Sequence, residues 1–325
     1  MRFELTVSVF ADDAAMIDHL DRLLARVIDE VHHLIVRDAE ALENTSWFQG
    51  LRPYHKEAVR SIVRAAGFIT HGRHVEVGGA FSLPAAVRLA YRSLEVLVED
   101  SGSDGLLVEV AVETYGNSET KRLWKHRPTT GAAVTLVHGG GSSLKKQLER
   151  IVAEARDDEV PARVVVMTDS DKKWSGDTNS NKNATSIEQL CIENNIPCVV
   201  LKCRTAENYI PDAVFQRWSA QPSQTSTRNQ VEALSRLTVE QRDHYRMKGG
   251  GRDRNGIREA EHADAPEPQR MLYANVPPAD RAVLTGFDDK LISILKDPQL
   301  TASELDARDR HGDLRTLVSR IEEAL

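Results

Sequence analysis

The 325-residue chain reads as an α/β protein, with a central parallel sheet flanked by helical regions at both ends. Three observations predict this. Four short runs rich in Val and Leu, LEVLVE (94–99), AAVTLV (132–137), RVVVMT (163–168) and PCVVLK (197–202), lack steady apolar–polar alternation, which is the pattern of strands covered on both faces. Between the last three lie stretches with helical spacing, SSLKKQLERIVAEARDD (142–158) and TSIEQLCIENN (185–195), and strands alternating with helices make parallel βαβ units. Outside this block, over 1–92 and 218–325, the apolar period is mainly that of helices.

In the first region Met16, Leu20, Leu23, Leu24, Val27, Ile28, Val31 and Leu34 recur at spacings of three and four, which predicts one long helix with a single apolar stripe. HKEAVRSIVRAAGF (55–68) repeats the period and stops near Gly67. Ser82-Leu83-Pro84 then opens another helix, with proline in the first turn where its missing N–H is tolerated. The α/β domain follows over 93–217. In it LLVEVAVE (106–113) reads as a helix or an alternating strand, and the need for a crossover favours the helix. After Trp218 the polar stretch SAQPSQTSTRNQ (219–230) opens a third, mainly helical region that carries irregular segments at MKGGGRDRNG (247–256) and EAEHADAPEPQR (259–270). Helical spacing returns from Ala279 and again from Thr301, predicting a tail that packs on the sheet or on a partner.

Hydrophobic residues at 41% and charged residues at 28% fit a globular protein and exclude a disordered one. No basic segment precedes an apolar run at the N-terminus and no stretch approaches a membrane span, so a cytoplasmic protein without membrane contact is expected. Cys191, Cys198 and Cys203 form no CxxC pair and read as small buried thiols rather than zinc ligands. A net charge of −7 excludes a general polyelectrolyte binder, so any contact with nucleic acid must come from local basic patches.

In open α/β sheets ligands sit at the carboxyl ends of the strands. Here those ends read Glu99-Asp100, His138 followed by Gly139, Gly140 and Gly141, Asp169-Ser170-Asp171, and RTAENY (204–209). If the backbone stays extended, Asp169 and Asp171 project to one side. Their repulsion at roughly 5–7 Å then costs on the order of a kcal/mol or more at an effective dielectric near 20. A divalent cation removes that cost, and oxygen donors without His or Cys select Mg²⁺ or Mn²⁺ over zinc. The same residues also make a good solvated turn. Glu99 at a second strand end, with Asp104 five residues on, weights the balance toward a metal.

Basic groups supply candidate contacts for a nucleic-acid strand. KRLWKHR (121–127) places Lys121, Arg122, Lys125 and Arg127 around Trp124, either for phosphate contacts with stacking or as a solvated helix face. Lys172 and Lys173 follow the acids directly, and KGGGRDR (248–254) could carry Lys248 and Arg252 to a phosphate. Gly139 and Gly140 either let the backbone approach a phosphate or make a tight βα turn. GxxxxGK[ST] is absent, which excludes an ATPase of that type, and no GxSxG elbow supports an esterase reading of HGGG.

In order, VLVED (96–100) with Asp104, VTLVHGGGSS (134–143), VVVMTDSDKK (164–173) and VLKCRTAENYIPD (200–212) resemble the TOPRIM domain, in the form found in OLD-family and related prokaryotic defence nucleases. The resemblance spans 94–215. It implies a TOPRIM-like, Rossmann-like catalytic domain hydrolysing phosphodiester bonds of DNA or RNA. It implies one or two Mg²⁺ or Mn²⁺ ions on Glu99, Asp104, Asp169, Asp171 and Glu207, with Lys248 as a downstream catalytic lysine. The family commonly has glycine after the glutamate and an acid four residues on; this chain has Asp100 after Glu99 and Asp104 five on, so the first acid is either Glu99 or Asp100. The resemblance also implies an effector of bacterial anti-phage defence, acting alone, as a homo-oligomer, or with a separate ATPase subunit. The same motifs leave open a non-catalytic subunit of an ATPase complex and a primase-like or RNA-maturing TOPRIM enzyme.

Overall fold

The structure, a computed structural model, describes residues 1–11, 13–66, 72–79, 81–140, 143–180, 182–249 and 256–325. It is α/β, with two sheets whose strands are all parallel. The first comprises β1 (Arg2–Leu5), β2 (His33–Val36) and β3 (His74–Val77) in the order β2-β1-β3. The second comprises β4 (Leu94–Val98), β5 (Val134–His138), β6 (Val164–Thr168) and β7 (Cys198–Val200) in the order β5-β4-β6-β7. No described helix is long and apolar enough to cross a membrane.

All four expected strands of the central block are present, and their burial explains the absence of alternation. Every residue of β6 is buried. Val96, Val98, Val165 and Met167 enter one core, with the helix Asp104–Tyr115 and the C-terminal helix Asp313–Ala324. Leu97, Val164 and Val166 enter another, with the helices Leu144–Asp157 and Lys182–Glu193. Each strand therefore needs apolar residues on both faces. LLVEVAVE is helical, as the crossover requires. The tail packs on the sheet: the helix Asp313–Ala324 lies against β6, β7 and the helix Asp104–Tyr115.

The first region departs from the helical expectation for 1–92. It holds helices Asp13–Ile28, Pro53–Ala66 and Leu83–Tyr91, but they surround the three-stranded sheet. The expected stripe from Met16 to Leu34 breaks at Ile28 because Glu30 takes a left-handed φ of 57°. Val31 N then donates to Arg26 O (3.1 Å) and Glu30 N to Val27 O (2.9 Å), the paired bonds that close a helix end. Val31 and Leu34 thus leave the helix while keeping buried positions, Leu34 inside β2. Four-residue strands carry too short a period to stand out beside such a stripe.

Arg26, fully buried, donates to Ala90 O (3.0 Å) within this unit and ties it to the central one by donating to Thr130 Oγ1 (2.9 Å) and Gly131 O (2.7 Å). The helix Leu144–Asp157 ends like the first one, with Glu159 at φ 55° and Val160 N donating to Ala155 O (3.0 Å). A side chain in that conformation is strained by about 1–2 kcal/mol relative to glycine. Glu159→Gly is expected to raise stability by about 0.5–1 kcal/mol, less than the strain because glycine also frees the unfolded chain. Urea unfolding of the variant checks this, with an unchanged or lower midpoint counting against it.

Candidate metal centre

The strand order places the ends of β4, β6 and β7 side by side, and the acids follow those ends. Glu99 comes directly after β4, Asp104 opens the helix Asp104–Tyr115, and Asp169 follows β6. Glu207 stands in the 3₁₀ turn Ala206–Tyr209 after β7. Lys248 arrives from the C-terminal region, where it bridges to Phe287.

Hydrogen bonds link these groups into one cluster. Thr168 Oγ1, buried at the end of β6, donates to Glu99 Oε1 at 2.6 Å. Ala206 N donates to Asp169 Oδ1 at 3.1 Å. Asp104 accepts from Asp100 N (2.9 Å) and from Ser103 Oγ (3.3 Å). Lys248 Nζ joins the two sides, 2.7 Å from Glu207 Oε1 and 3.2 Å from Ser103 Oγ. Glu207 is wholly buried; its Oε2 accepts from Thr205 Oγ1 at 2.8 Å, and its Oε1 takes the Lys248 ammonium at 2.7 Å.

The electrostatics are those of carboxylates crowded together. Burial raises the pKa of Asp169 well above the ordinary carboxylate value, and Asp104, Glu99, Glu207 and Asp171 each raise it further. Asp104 is pushed up to about 6, by burial and then by Glu207, against opposing help from the Asp100 amide and Lys248. Glu99 is raised by burial and by Asp171 and Asp104, with the Thr168 hydrogen bond opposing. Burial alone would lower the Lys248 pKa, but Glu207, Asp104 and Asp169 outweigh it and raise it.

Of Glu99 and Asp100, it is Glu99 that faces the cluster. Asp100 is exposed and accepts from Gly102 N (2.9 Å), Ser103 N (3.3 Å) and Ser103 Oγ (2.8 Å), which makes it the organiser of the turn. Asp171 does not follow the extended path expected of it. Its φ is 54°, and its amide donates to Arg204 O at 3.0 Å, so it stands exposed at the rim beside Arg204. Glu30, Glu159 and Asn195, the other described non-glycine residues at positive φ, each follow a helix end; Asp171 follows a strand. Backbone strain of this kind gathers at functional sites.

The remaining sequence candidates divide. Gly139 N and Gly140 N donate to Val98 O (2.7 Å) and Glu99 O (2.9 Å), so their amides continue the sheet rather than cradle a phosphate. A Cβ on Gly139 would come within 2.9 Å of the Leu144 side chain, which accounts for the glycine by packing. Gly141 and Arg252 lie outside the described residues. Trp124 packs against the main core, Arg122 pairs with Glu119 (2.7 Å) and Glu30 (3.2 Å), and Lys125 pairs with Glu113 (2.7 Å). Arg127 donates to Trp124 O (2.7 Å) and His126 O (3.0 Å), and Lys121 lies on the same short helix Ser118–Lys125. That patch is thus largely occupied by structure. Lys173 stands 3.7 Å from Glu259, and Lys172 is half-buried beside it.

Sequence reasoning missed Thr168, Ser103 and the buried Arg204–Glu259 pair (2.5 Å). Thr168 and Arg204 both stood at strand ends, and that position was the available signal.

The donors fit a hard divalent cation: all are carboxylates, and Glu99, Asp104, Asp169 and Glu207 outnumber the single ammonium, Lys248, found with them among the described residues. Among the described residues no three His, Cys, Asp or Glu side chains are already arranged around one ion. Lys248 supplies part of the compensating charge. No family model matches the chain, and neither a curated protein nor a solved structure matches it.

Two outcomes follow from this electrostatics. The folded pKa of Asp104 lies above its unfolded value, so the folded state holds the proton more tightly; that contribution is full below about pH 4 and is lost as pH rises through about 6. Metal-free protein should therefore lose melting temperature over that window, and Asp104→Asn should flatten the loss. Added Mn²⁺ should raise the melting temperature more at pH 7.5 than at pH 5, and a pH-independent rise would count against the cluster as its site. Asp171→Gly should increase stability by about 0.5–1 kcal/mol through relief of backbone strain while weakening Mn²⁺ binding about tenfold. Calorimetry of both quantities checks the trade.

Proposed function

We propose that this protein is a metal-dependent nuclease that hydrolyses phosphodiester bonds at the carboxyl edge of its four-stranded sheet. One observation carries the reading: Glu99, Asp104, Asp169 and Glu207, supplied by three stretches of chain, meet at that edge with Lys248 on Glu207, and burial together with their crowding raises the Asp169 pKa well above the carboxylate range. A structural role alone does not account for such crowding, because each like charge added to a buried site costs stability. The resemblance to TOPRIM domains supports the same assignment, and the role in anti-phage defence rests on that resemblance.

Mg²⁺ or Mn²⁺ held by Glu99, Asp104, Asp169 and Glu207, with Asp171 at the rim, would supply positive charge to the phosphoryl oxygens and lower the pKa of an attacking water. The chain's own residues prepare the site. Thr168 orients Glu99 through its 2.6 Å hydrogen bond, and the Ala206 amide fixes Asp169. Lys248, raised in pKa by its carboxylate neighbours, stays protonated and is placed to donate to an oxygen that gains charge as the ester bond breaks.

The test is cleavage of plasmid DNA and of total RNA by purified protein with Mg²⁺ or Mn²⁺. Glu99→Gln and Asp169→Asn should each lower the rate at least about a hundredfold, the scale of losing several kcal/mol of charge stabilisation. Asp100→Asn, which can still cap its turn, should stay within a few-fold of wild type. Equal rates for wild type and Glu99→Gln would overturn the assignment.

A further inference from the structure

We infer that the loop after Asp171 is a stacking platform for an unpaired base, so that the substrate is single-stranded nucleic acid; this rests on the nuclease reading above. Trp174 carries the inference. Trp47 is buried in the N-terminal core, and Trp124 and Trp218 pack against the main one. Trp174 is half-buried, belongs to no apolar cluster, and has neither a ring contact nor a hydrogen bond from its indole among the described residues. Its indole edge lies over Gly176 of the same loop, where an added Cβ would meet Nε1 at 3.5 Å and Cδ1 at 3.7 Å, and no apolar core of the described residues takes up the ring.

The loop nevertheless holds that residue in place. Asp177 is fully buried and accepts from Lys173 N (3.1 Å), Asn179 N (3.0 Å) and Ser180 N (3.1 Å), while its own amide donates to Trp174 O (3.1 Å). Outside this knot His244 Nδ1 donates to Lys172 O (3.0 Å) and Ser175 Oγ to Glu240 Oε1 (2.9 Å). The backbone is pinned on both sides of the ring. A ring carried on a fixed backbone loses little freedom when a base stacks on it.

Position and charge point the same way. Trp174 is three residues past Asp171, at most about 11 Å of chain, or roughly three base steps of a stacked strand. Lys173, Arg204 and Arg246 all reach Glu259, at 3.7, 2.5 and 3.2 Å. Arg204 is buried in its pair with Glu259, while Lys173 and Arg246 keep 31% and 40% of their side chains exposed and can meet a phosphate backbone. Single-strand binders combine such a basic track with aromatic faces, and a duplex, whose bases already stack on each other, offers no free base for the ring.

Fluorescence anisotropy tests this on the full chain, with Ca²⁺ replacing Mg²⁺ or Mn²⁺ to hold turnover down. The probes are a labelled oligothymidylate of about 15 nucleotides, within single-strand site sizes, and its duplex with oligoadenylate. The strand should bind at least about tenfold more tightly than the duplex, and Trp174→Ala should lose about five- to a hundredfold of strand affinity while Trp174→Phe loses under about threefold. Strand binding should also quench tryptophan emission in the wild type and fail to do so in Trp174→Phe, a readout that does not depend on the alanine variant folding. Equal affinity for strand and duplex, or quenching undiminished in Trp174→Phe, overturns the platform. Cleavage in Mn²⁺ is measured separately. No cleavage with strand preference intact defeats the nuclease reading and leaves the platform standing; cleavage with binding indifferent to Trp174 does the reverse.

Discussion

Mutual repulsion among carboxylates at one edge of a parallel sheet is the constraint around which the rest of this structure is arranged. Parallel pairing of β4 with β6 and of β6 with β7 brings three strand ends together, and each end delivers an acid. Left alone, the buried acids are relieved of charge only by holding protons, and burial and their mutual repulsion raise the pKa values of Asp104 and Asp169 accordingly. Among the described residues Lys248 is the one ammonium inside the group, and it comes from a distant part of the chain. The charge balance of the sheet edge thus depends on how the C-terminal region folds.

That dependence explains the density of contacts behind the 3₁₀ turn bearing Glu207. Asn208 Nδ2 donates to Arg242 O and Tyr245 O, both at 2.9 Å, and Arg308 donates to Asn208 O. Tyr209 bonds Asp313 at the start of the last helix, and Lys202 N reaches the same carboxylate at 2.7 Å. A wholly buried glutamate can be kept in an acidic cluster only if its backbone has no easier place to go, and these bonds remove the alternatives. Asn208 and Tyr209 are brace residues for the site, although they touch none of its charge directly.

Much of this was legible in the sequence, and the failures share a physical cause. β4 to β7 announced themselves because strands buried on both faces need unbroken apolar runs. β1 to β3 did not: HLIV was absorbed into a helical stripe, and only a left-handed Glu30 ends the helix before it. Glu99 and Asp169 could be read from their places at strand ends, whereas Asp171 was misdirected because positive φ at a non-glycine residue leaves no mark in sequence. The KRLWKHR patch looked like a binding surface because partners such as Glu30 and Glu113 are invisible from a local charge run.

The same limit separates Trp124 from Trp174. Both are tryptophans beside lysines, and local composition favours the first, which has more basic neighbours. Tertiary packing reverses the order: one ring packs on a core, and the other is held on a pinned loop outside the apolar cores of the described residues. Stability explains a side chain that contributes to the core and leaves unexplained one that does not. Strained Asp171, crowded Asp169 and Trp174, which stands outside the apolar cores, are all of the second kind, and they lie within six residues of chain after β6. A segment that concentrates what folding disfavours is where a function other than folding has shaped the sequence.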